Sequence, residues 1–396
     1  MAESIEHPCI EHKSYARIGL LGNPSDVYYG RTISFSLANF CAVVRLRPSD
    51  HLIINPHPVH DLVQFSSLNH LGMRLQNEGY YGGVRLLMAI CKVFNDHCHE
   101  HKIELREGNF TLSYDTNIPR QTGLSGSSAI VTATLNCLLD FYGVRNQIKL
   151  EIRPNLVLRA EQELGIVAGL QDRVAQTYGG LVYMVQPSRF SASSTGFSPF
   201  FHQEFRQDHM NKFGYGIYTP MDVALLPPLY LIYANNPSDS GKIHSSVRQK
   251  WLDGDKFIVQ SMKEVADLAL QGRAALLEQN YTKLADLMNK NFDLRRKMFG
   301  DEALGAMNIE MVETARRVGA ASKFTGSGGA VVVFCPEGDS QVKLLEDACQ
   351  KAGFILEQAR ISPSLLNEDE VLSLSNFKQS ADISRKSNVI YTKNKK

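Results

Sequence analysis

The sequence has almost no excess of charge of either sign. Its 42 lysines and arginines are balanced by 41 aspartates and glutamates, which gives a formal net charge of +1. A domain that binds nucleic acid over a broad surface is usually strongly basic. The charge balance therefore argues against a nucleic acid partner, whereas a local basic pocket for a small anion remains compatible with it.

Long apolar runs and paired cysteines are missing as well. No stretch approaches the roughly 18 consecutive apolar residues of a membrane-spanning helix, and Met1–Ala16 lacks the apolar core of a secretory signal. The seven cysteines are scattered and include no Cys-x-x-Cys pair, so neither a zinc knuckle nor a disulfide framework is indicated. These absences predict a protein without a membrane partner, located in the reducing cytoplasm.

The length and the order of predicted elements indicate two domains. The 396 residues are 43% apolar and 21% charged, an ordinary globular balance. Strand-like runs followed by helical runs occur twice, which favours an α+β fold over a doubly wound sheet. We predict a loose segment over 1–14, an N-terminal domain over 15–200, a C-terminal α+β domain over 201–366 and a polar tail over 367–396.

A loop rich in glycine and serine is the strongest local signal, and a helix predicted over 127–142 follows it at once. Glycines let backbone N–H groups approach a ligand, and a helix N-terminus offers unpaired N–H donors. Together they predict an anion site suited to a polyphosphate. A flexible loop with an ordinary serine helix cap is the alternative. The residues concerned are Gly123, Leu124, Ser125, Gly126, Ser127, Ser128 and Ala129.

Two common kinase signatures are absent. The loop lacks the lysine of a Walker motif, and the sequence contains neither the His-Arg-Asp nor the Asp-Phe-Gly segment of protein kinases. Without a Walker lysine, the phosphate charge must be met by the backbone, a metal ion and residues from elsewhere in the chain. A serine hydroxyl of the loop can ligate a hard cation such as Mg²⁺.

Three segments, in order, resemble the motifs of the GHMP kinases, a family named for galactokinase, homoserine kinase, mevalonate kinase and phosphomevalonate kinase. Arg17–Asp26 resembles the first motif, Pro119–Ala129 the second and Lys323–Gly329 the third. The resemblance implies a two-domain α+β fold with the active site in the cleft between the domains. It also implies ATP as co-substrate, with transfer of its γ-phosphoryl group to a small molecule.

The residues of the first two motifs indicate which branch of the family the sequence resembles. Ala16 stands where the family usually has glycine, and Asn23-Pro24 stands where sugar kinases have Glu-His. The segments are similar to the plant-type glucuronokinase branch, which implies phosphorylation of D-glucuronate at C1 and a place in UDP-glucuronate salvage. A kinase for galactose, arabinose or a heptose is the first alternative, and a non-catalytic sugar or ATP sensor is the second.

The resemblance further implies roles for two carboxylates. Glu161 and Asp172 have the spacing at which mevalonate-type relatives place a metal-binding glutamate and a catalytic aspartate. It follows that Asp172 is the general base and Glu161 the Mg²⁺ ligand, with Ser128 completing the metal site and Ser127 as second choice. For Glu161 the alternatives are a solvated helix face, or Glu163 as the metal ligand in its place. For Asp172 they are a helix cap or a salt bridge to Arg173.

Other motif residues are candidates for binding the reactants. Arg17 stands where sugar kinases place a guanidinium beside the base, and it could stabilise the transferring phosphoryl charge. Asp26 could accept hydrogen bonds from sugar hydroxyls or simply form an Asx turn. Gly326, Ser327 and Gly328 would contact the phosphates or the substrate, unless they only form a tight turn into the next strand.

A uronate substrate would also need a cation for its carboxylate. Arginine suits this role because its planar fork matches a carboxylate. By their position near the motifs, Arg31, Arg120 and Lys242 are the candidates. The sequence gives no indication of the adenine contacts or of the oligomeric state.

Overall fold

The computed structural model of the protein describes residues 9–61, 64–78, 82–166, 168–186, 214–234 and 244–371. They form two β-sheets flanked by helices, which confirms the predicted α+β fold. Within these ranges, every helix is too short or too polar to cross a lipid bilayer.

The first sheet is built around one strand of 19 residues. Its members are β1 (Ile10–Leu21), β2 (Arg31–Ser49), β3 (Ile53–Ile54), β4 (Asn109–Thr116), β5 (Leu181–Val185) and β6 (Ile217–Met221). The long strand β2 pairs antiparallel with β1, β4 and β5. Strand β6 extends the sheet from β5, and β3 runs parallel to β4.

The first part of β2 is buried on both faces, one of which is apolar. Ile33, Phe35 and Leu37 form the apolar face at two-residue spacing, and the small polar residues between them are buried on the other face. Ala42 and Val44 resume the spacing after a bulge, at the point where the pairing with β1 shifts register. The bulge lets a single strand keep its apolar face on the core over its whole length.

Among the described residues, five α-helices belong to the same half of the chain. They are α1 (Leu68–Glu78), α2 (Gly83–Glu100), α3 (Gly126–Phe141), α4 (Arg153–Glu163) and α5 (Gln171–Tyr178). Helix α3 packs on β1, β2 and α2, and it is apolar on almost every side, as a core helix must be. The predicted helix over 127–142 is therefore confirmed, with each end displaced by one residue.

The second sheet lies in the other half of the chain. Its strands are β7 (Leu229–Tyr233), β8 (Ala321–Phe324), β9 (Ala330–Phe334) and β10 (Ile355–Gln358), in the antiparallel order β10-β7-β9-β8. The helices of this half are α6 (His244–Leu252), α7 (Lys256–Leu277), α8 (Tyr281–Phe299), α9 (Asp301–Leu304), α10 (Ala306–Arg317) and α11 (Asp339–Ala352). Helix α8 packs against β8 and also reaches β1 of the first sheet.

The chain crosses between the halves more than once. After β10 it returns to the first sheet, where the N–H of Ser362 donates to the carbonyl of Ser36 at 2.9 Å. The predicted domain boundary at 200 lies outside the described residues, and β6 beyond it still joins the first sheet. Residues 10–14 were predicted to be loose, but they begin β1 because their backbone pairs with β2. Residues 1–8 and 372–396 lie outside the described part.

Candidate active site

The three sequence motifs meet at one place through direct backbone contacts. Gly123 of the second motif has φ +64°, and a Cβ there would lie 2.3 Å from the carbonyl oxygen of Gly328 in the third. The N–H of Gly19 in the first motif donates to the carbonyl of Thr325 at 2.8 Å. Only glycine at Gly123 permits so close an approach. Residues more than 200 positions apart in sequence thus form one loop cluster.

A buried lysine ties the first motif to the third. The Nζ of Lys323 donates to the carbonyl of Gly19, the Oδ1 of Asn23 and the carbonyl of Phe324, at 2.7, 2.7 and 2.6 Å. Burial, together with the charges of Arg295 and Arg17, holds the pKa of Lys323 well below 10.5. Lys323 therefore fixes the turn at Asn23, one of the positions where this sequence departs from the sugar kinases.

The first cavity, of about 320 Å³, lies at the N-terminus of α3. One wall is the glycine- and serine-rich loop from Gly123 to Ser127, and the other is largely apolar. The first N–H groups of a helix lack intrahelical partners, so this end of the cavity suits an anion. Ser128 and Ala129 are buried behind the loop and do not line the cavity. The apolar wall includes Leu86, Ile118, Pro119, Ile130 and Ile166.

The second cavity, of about 350 Å³, adjoins the first at Ile166 and has a more polar lining than the first. Its walls come from the turn after β1, the N-terminus of α5, helices α6 and α8 and the third motif, so both halves of the chain contribute. A polar chamber beside an anion site can accept a small hydroxylated molecule. The charged residues that line it are Arg17, Asp26, Asp172, Arg248 and Arg295.

Asp172 lines the second cavity and contacts Ser125, a residue of the first. Its Oδ1 accepts a hydrogen bond from Nε of Arg17 at 2.5 Å, and its Oδ2 accepts one from Oγ of Ser125 at 2.7 Å. Burial acts to raise the pKa of Asp172, but the charges of Arg17 and Arg173 outweigh it and hold the pKa below 3.8. The carboxylate is therefore ionised at neutral pH and held in a fixed orientation.

Asp26 is a second carboxylate with the opposite electrostatic character. It is 9% exposed and accepts a hydrogen bond from the N–H of Gln171 at 3.2 Å. Burial and the nearby charge of Asp172 raise its pKa from 3.8 to about 6. Such a pair of carboxylates, one with a lowered and one with a raised pKa, is typical of functional sites.

Glu161 is fully buried and forms two contacts of different kinds. Its Oε1 accepts a hydrogen bond from Oγ of Ser127 at 2.7 Å, and its Oε2 is paired with the guanidinium of Arg173. The hydroxyl of Ser128 instead donates to the carbonyl of Ser125 at 3.2 Å. Glu161 is thus not on a solvated helix face. It contacts Ser127, which the sequence analysis gave as the second choice for the metal site.

The pair of Ser127 and Glu161 fits a small hard cation. A hydroxyl and a carboxylate oxygen lie at hydrogen-bond distance, and both are ligand types that Mg²⁺ accepts. Ser127 also lines the first cavity, where a polyphosphate would supply further oxygen ligands. The contact with Arg173 occupies one carboxylate oxygen of Glu161 and leaves the other towards Ser127.

Comparisons with known proteins bear on this arrangement. The family model described as "GHMP kinases N terminal domain" matches residues 85–180, and "GHMP kinases C terminal" matches 273–353. Glucuronokinase 1 of Arabidopsis thaliana is 69% identical over 365 residues, which cover 92% of this chain and 96% of that protein. The chain belongs to the GHMP kinase family.

Solved structures agree with this GHMP kinase in fold. Lactococcus lactis galactokinase, solved with galactose, superposes with a TM-score of 0.64 at 15% identity, covering 91% of this chain and 95% of that one. Methanococcus jannaschii mevalonate kinase gives 0.58 at 19% identity, covering 90% and 99%. At such identities the likeness concerns the fold, and it confirms the architecture that the motifs predicted.

The residues of the third motif of this GHMP kinase have two different structural roles. Gly326 and Ser327 line the second cavity, whereas Gly328 packs against Gly123. The carbonyls of Gly326 and Ser327 accept hydrogen bonds from Nη1 and Nη2 of Arg295, at 2.7 and 3.2 Å. Arg295 is buried between Phe299 and Phe324. It was not singled out from the sequence because it lies in a helical segment without a motif.

Of the three candidates for a uronate carboxylate, the two that the structure describes do not line the second cavity. Arg31 is buried and pairs with Asp267 at 2.8 Å, and Arg120 lines the first cavity. Lys242 lies outside the described residues. Sequence reasoning missed Arg248, which does line the second cavity. No local signal could have found it, because it is one of several basic residues on a polar helix.

Proposed function

We propose that this GHMP kinase transfers the γ-phosphoryl group of ATP to the C1 hydroxyl of D-glucuronate, forming glucuronate 1-phosphate and ADP. The observation that carries the proposal is the 69% identity, over almost the whole length of both chains, to glucuronokinase 1 of Arabidopsis thaliana. Three arginines against two aspartates line the second cavity, and this excess of positive charge supports an acidic sugar rather than a neutral one.

ATP would occupy the first cavity. The N–H groups at the start of α3 face its glycine- and serine-rich wall, which suits the phosphates. The apolar wall, with Ile118 and Ile130 among its residues, suits the flat face of adenine. The γ-phosphate would then point towards the second cavity, because Ser125 of the loop contacts Asp172, which lines that cavity.

Asp172 is the proposed general base. The oxygen of the C1 hydroxyl forms a bond to the γ-phosphorus while the bond from that phosphorus to the β,γ-bridging oxygen breaks, and ADP leaves. The proton of the hydroxyl passes to the carboxylate of Asp172. Because the transition state of such transfers is loose, placing the hydroxyl in line counts for more than the strength of the base. The lowered pKa of Asp172 is compatible with this role.

Arg17 would stabilise the charge that moves with the phosphoryl group. Its Nε holds Asp172, and its Nη1 donates to the carbonyls of Gly123 and Thr325 at 2.9 and 3.0 Å. These contacts fix the guanidinium between the second and third motifs, where the phosphoryl group must cross. A preorganised cation at that point lowers the transition-state energy without reorganisation.

The remaining proposed roles concern Mg²⁺ and the sugar. Ser127 and Glu161 would hold the ion, with Ser128 left to cap the loop from behind. When bound, Mg²⁺ neutralises charge on the ATP phosphates. Asp26, through its ionised form, would accept a hydrogen bond from a sugar hydroxyl in the second cavity.

An acceptor panel tests the proposal. ADP release from ATP and Mg²⁺ would be measured with D-glucuronate, D-galacturonate, D-galactose, L-arabinose and mevalonate as separate acceptors, and the product identified by NMR. We expect turnover with D-glucuronate and a phosphate on C1. Turnover only with a neutral sugar would refute the substrate while keeping the reaction. ATP binding without turnover of any acceptor would favour a sensor.

The cellular setting is part of the same proposal. All seven cysteines are free thiols, which supports a reducing, cytoplasmic compartment. A sugar 1-phosphate is the substrate of a nucleotidyl transfer from a nucleoside triphosphate. The proposed product would therefore feed the formation of UDP-glucuronate.

A further inference from the structure

The three arginines of the second cavity differ in how their guanidinium groups are used. Arg17 is committed to Asp172 and two carbonyls, and Arg295 to the carbonyls of Gly326 and Ser327. Arg248 is exposed to solvent, and among the described residues it has no hydrogen-bond or ion-pair partner. A cation of this kind in a binding cavity is available for an anionic ligand.

An aromatic contact places Arg248 at the cavity. Trp251 lies three residues further along α6, so the two side chains share a face of the helix. The ring of Trp251 packs against Tyr28 at 5.4 Å and Tyr29 at 6.1 Å between centroids. Tyr28 is itself buried and lines the second cavity. The helix that carries Arg248 is therefore anchored to the cavity wall.

The charges of the cavity make such a cation necessary for an acidic sugar. Asp172 is ionised, and Asp26, with a pKa of about 6, is mostly ionised at neutral pH. A third carboxylate, brought in by the substrate, would be repelled by both and would lose its hydration. In a pyranose, C1 and the carbon bearing the carboxylate flank the same ring oxygen. The cavity that contains the proposed base must therefore also contain the group that binds the substrate carboxylate.

We infer that Arg248 binds the carboxylate of the sugar acid and so sets the preference for a uronate over a neutral sugar. This inference rests on the proposed function. Arg248 would form a charge-assisted hydrogen bond once the bound sugar covers its guanidinium. Its role would be specificity, separate from the phosphoryl chemistry at Asp172 and Arg17.

The test compares Arg248→Gln and Arg248→Lys with Lys250→Gln, a matched loss of charge on an exposed residue of α6 that lines neither cavity. The readouts are kcat, the KM for D-glucuronate, the KM for ATP, and inhibition by D-glucuronamide, the neutral amide of the same sugar. For Arg248→Gln we expect a rise of roughly 10- to 100-fold in the KM for D-glucuronate. Inhibition by the amide and the KM for ATP should stay within about twofold.

Two further variants test whether the planar shape of the guanidinium and its position on the helix both matter. Arg248→Lys keeps the charge but loses the planar fork, so its KM for D-glucuronate should lie between those of wild type and Arg248→Gln. Lys250→Gln should match the wild type, since a surface charge far from the ligand contributes little. If Lys250→Gln raised KM as much as Arg248→Gln, a general effect of helix charge would explain the result and the inference would be overturned.

Three further outcomes have distinct meanings. An unchanged KM for D-glucuronate in Arg248→Gln would overturn the inference and leave the proposed function standing. A fall in kcat with unchanged preference for the acid over the amide would place Arg248 on the transferring phosphoryl group and also overturn it. A wild-type enzyme inactive with D-glucuronate but active with a neutral sugar would overturn the proposed function and, with it, the inference.

Discussion

The hydroxyl of Ser125 donates a 2.7 Å hydrogen bond to the carboxylate of Asp172. This contact links the loop proposed to bind phosphate with the residue proposed to take the proton. Ser125 can make it because its backbone is left-handed, with φ +65°, and its side chain does not cap α3. The loop therefore positions the proposed base and also lines the cavity proposed for the nucleotide.

The two neighbouring serines should differ in their effect on the metal requirement. Ser127→Ala removes the hydroxyl that contacts Glu161, so the Mg²⁺ concentration for half-maximal rate should rise by roughly 10-fold. Ser128→Ala removes only a hydrogen bond to the carbonyl of Ser125, and its Mg²⁺ dependence should stay within about twofold of wild type. A Mg²⁺ titration of the initial rate checks both. The opposite ranking would return the metal role to Ser128.

Asp26, the residue proposed to bind a sugar hydroxyl, should reduce the stability of the fold at neutral pH. A pKa of about 6 in the folded chain, against 3.8 as the ordinary value, means that ionising this buried group costs up to about 3 kcal/mol of stability. The cost is present above pH 6, and it is lost as pH falls towards 4, where the folded chain binds the proton.

The variant Asp26→Asn tests that sign. It should be more stable than wild type at pH 7.5, by up to about 3 kcal/mol, and the advantage should vanish near pH 4. Its KM for the sugar should rise, because a neutral amide accepts a hydrogen bond less strongly. Urea unfolding at the two pH values measures the first effect. A variant less stable than wild type at pH 7.5 would contradict the assignment.

Lys323 should stabilise the folded chain, and its loss should disturb the loop cluster of the candidate active site. Lys323→Met leaves three buried oxygen acceptors without their donor, those of Gly19, Asn23 and Phe324, and should cost about 3 kcal/mol in unfolding free energy. The control Lys343→Met, at an exposed position on α11, should change it by less than about 0.5 kcal/mol. Equal effects from the two substitutions would show that the buried contacts contribute little.

Substituting two glycines that have similar φ angles separates the cost of backbone strain from the cost of a steric contact. Gly123 has φ +64° and its added Cβ would meet the carbonyl of Gly328, whereas Gly143 has φ +69° with nothing within 4 Å. Gly143→Ala should therefore cost only about 1 kcal/mol of conformational strain. Gly123→Ala should cost at least about 2 kcal/mol and raise the KM for ATP. Similar costs for both would mean that the two loops do not need to touch.

The sequence was sufficient for the motifs and for elements such as α3, but not for the start of β1 or for the mutual arrangement of the elements. Glycine patterns and apolar periodicity identified the loop at Gly123 and the helix behind it, because these depend on neighbouring residues. The contact between Gly123 and Gly328 depends on how two sheets pack, and no local pattern encodes it. Likewise, a rotation of about 100° between successive helical residues decided that Ser127, and not Ser128, faces Glu161.

The basic residues show the same limit. Arg31 and Arg120 lie near motifs in sequence, yet one is paired with Asp267 and the other lines the first cavity. Arg248 and Arg295 lie far from any motif and still line the second cavity. Their position follows from the packing of α6 and α8 against the first half of the chain, which only the folded structure reveals.

Asp172→Asn gives the most direct test of the central claim, that Asp172 is the base for phosphoryl transfer to D-glucuronate. Wild type and variant would be compared for ADP release at saturating ATP, Mg²⁺ and D-glucuronate, with urea unfolding to confirm that the variant is folded. We predict a fall in kcat of at least about 100-fold with little change in the KM for ATP. A folded variant that retains kcat within about tenfold of wild type would contradict the account.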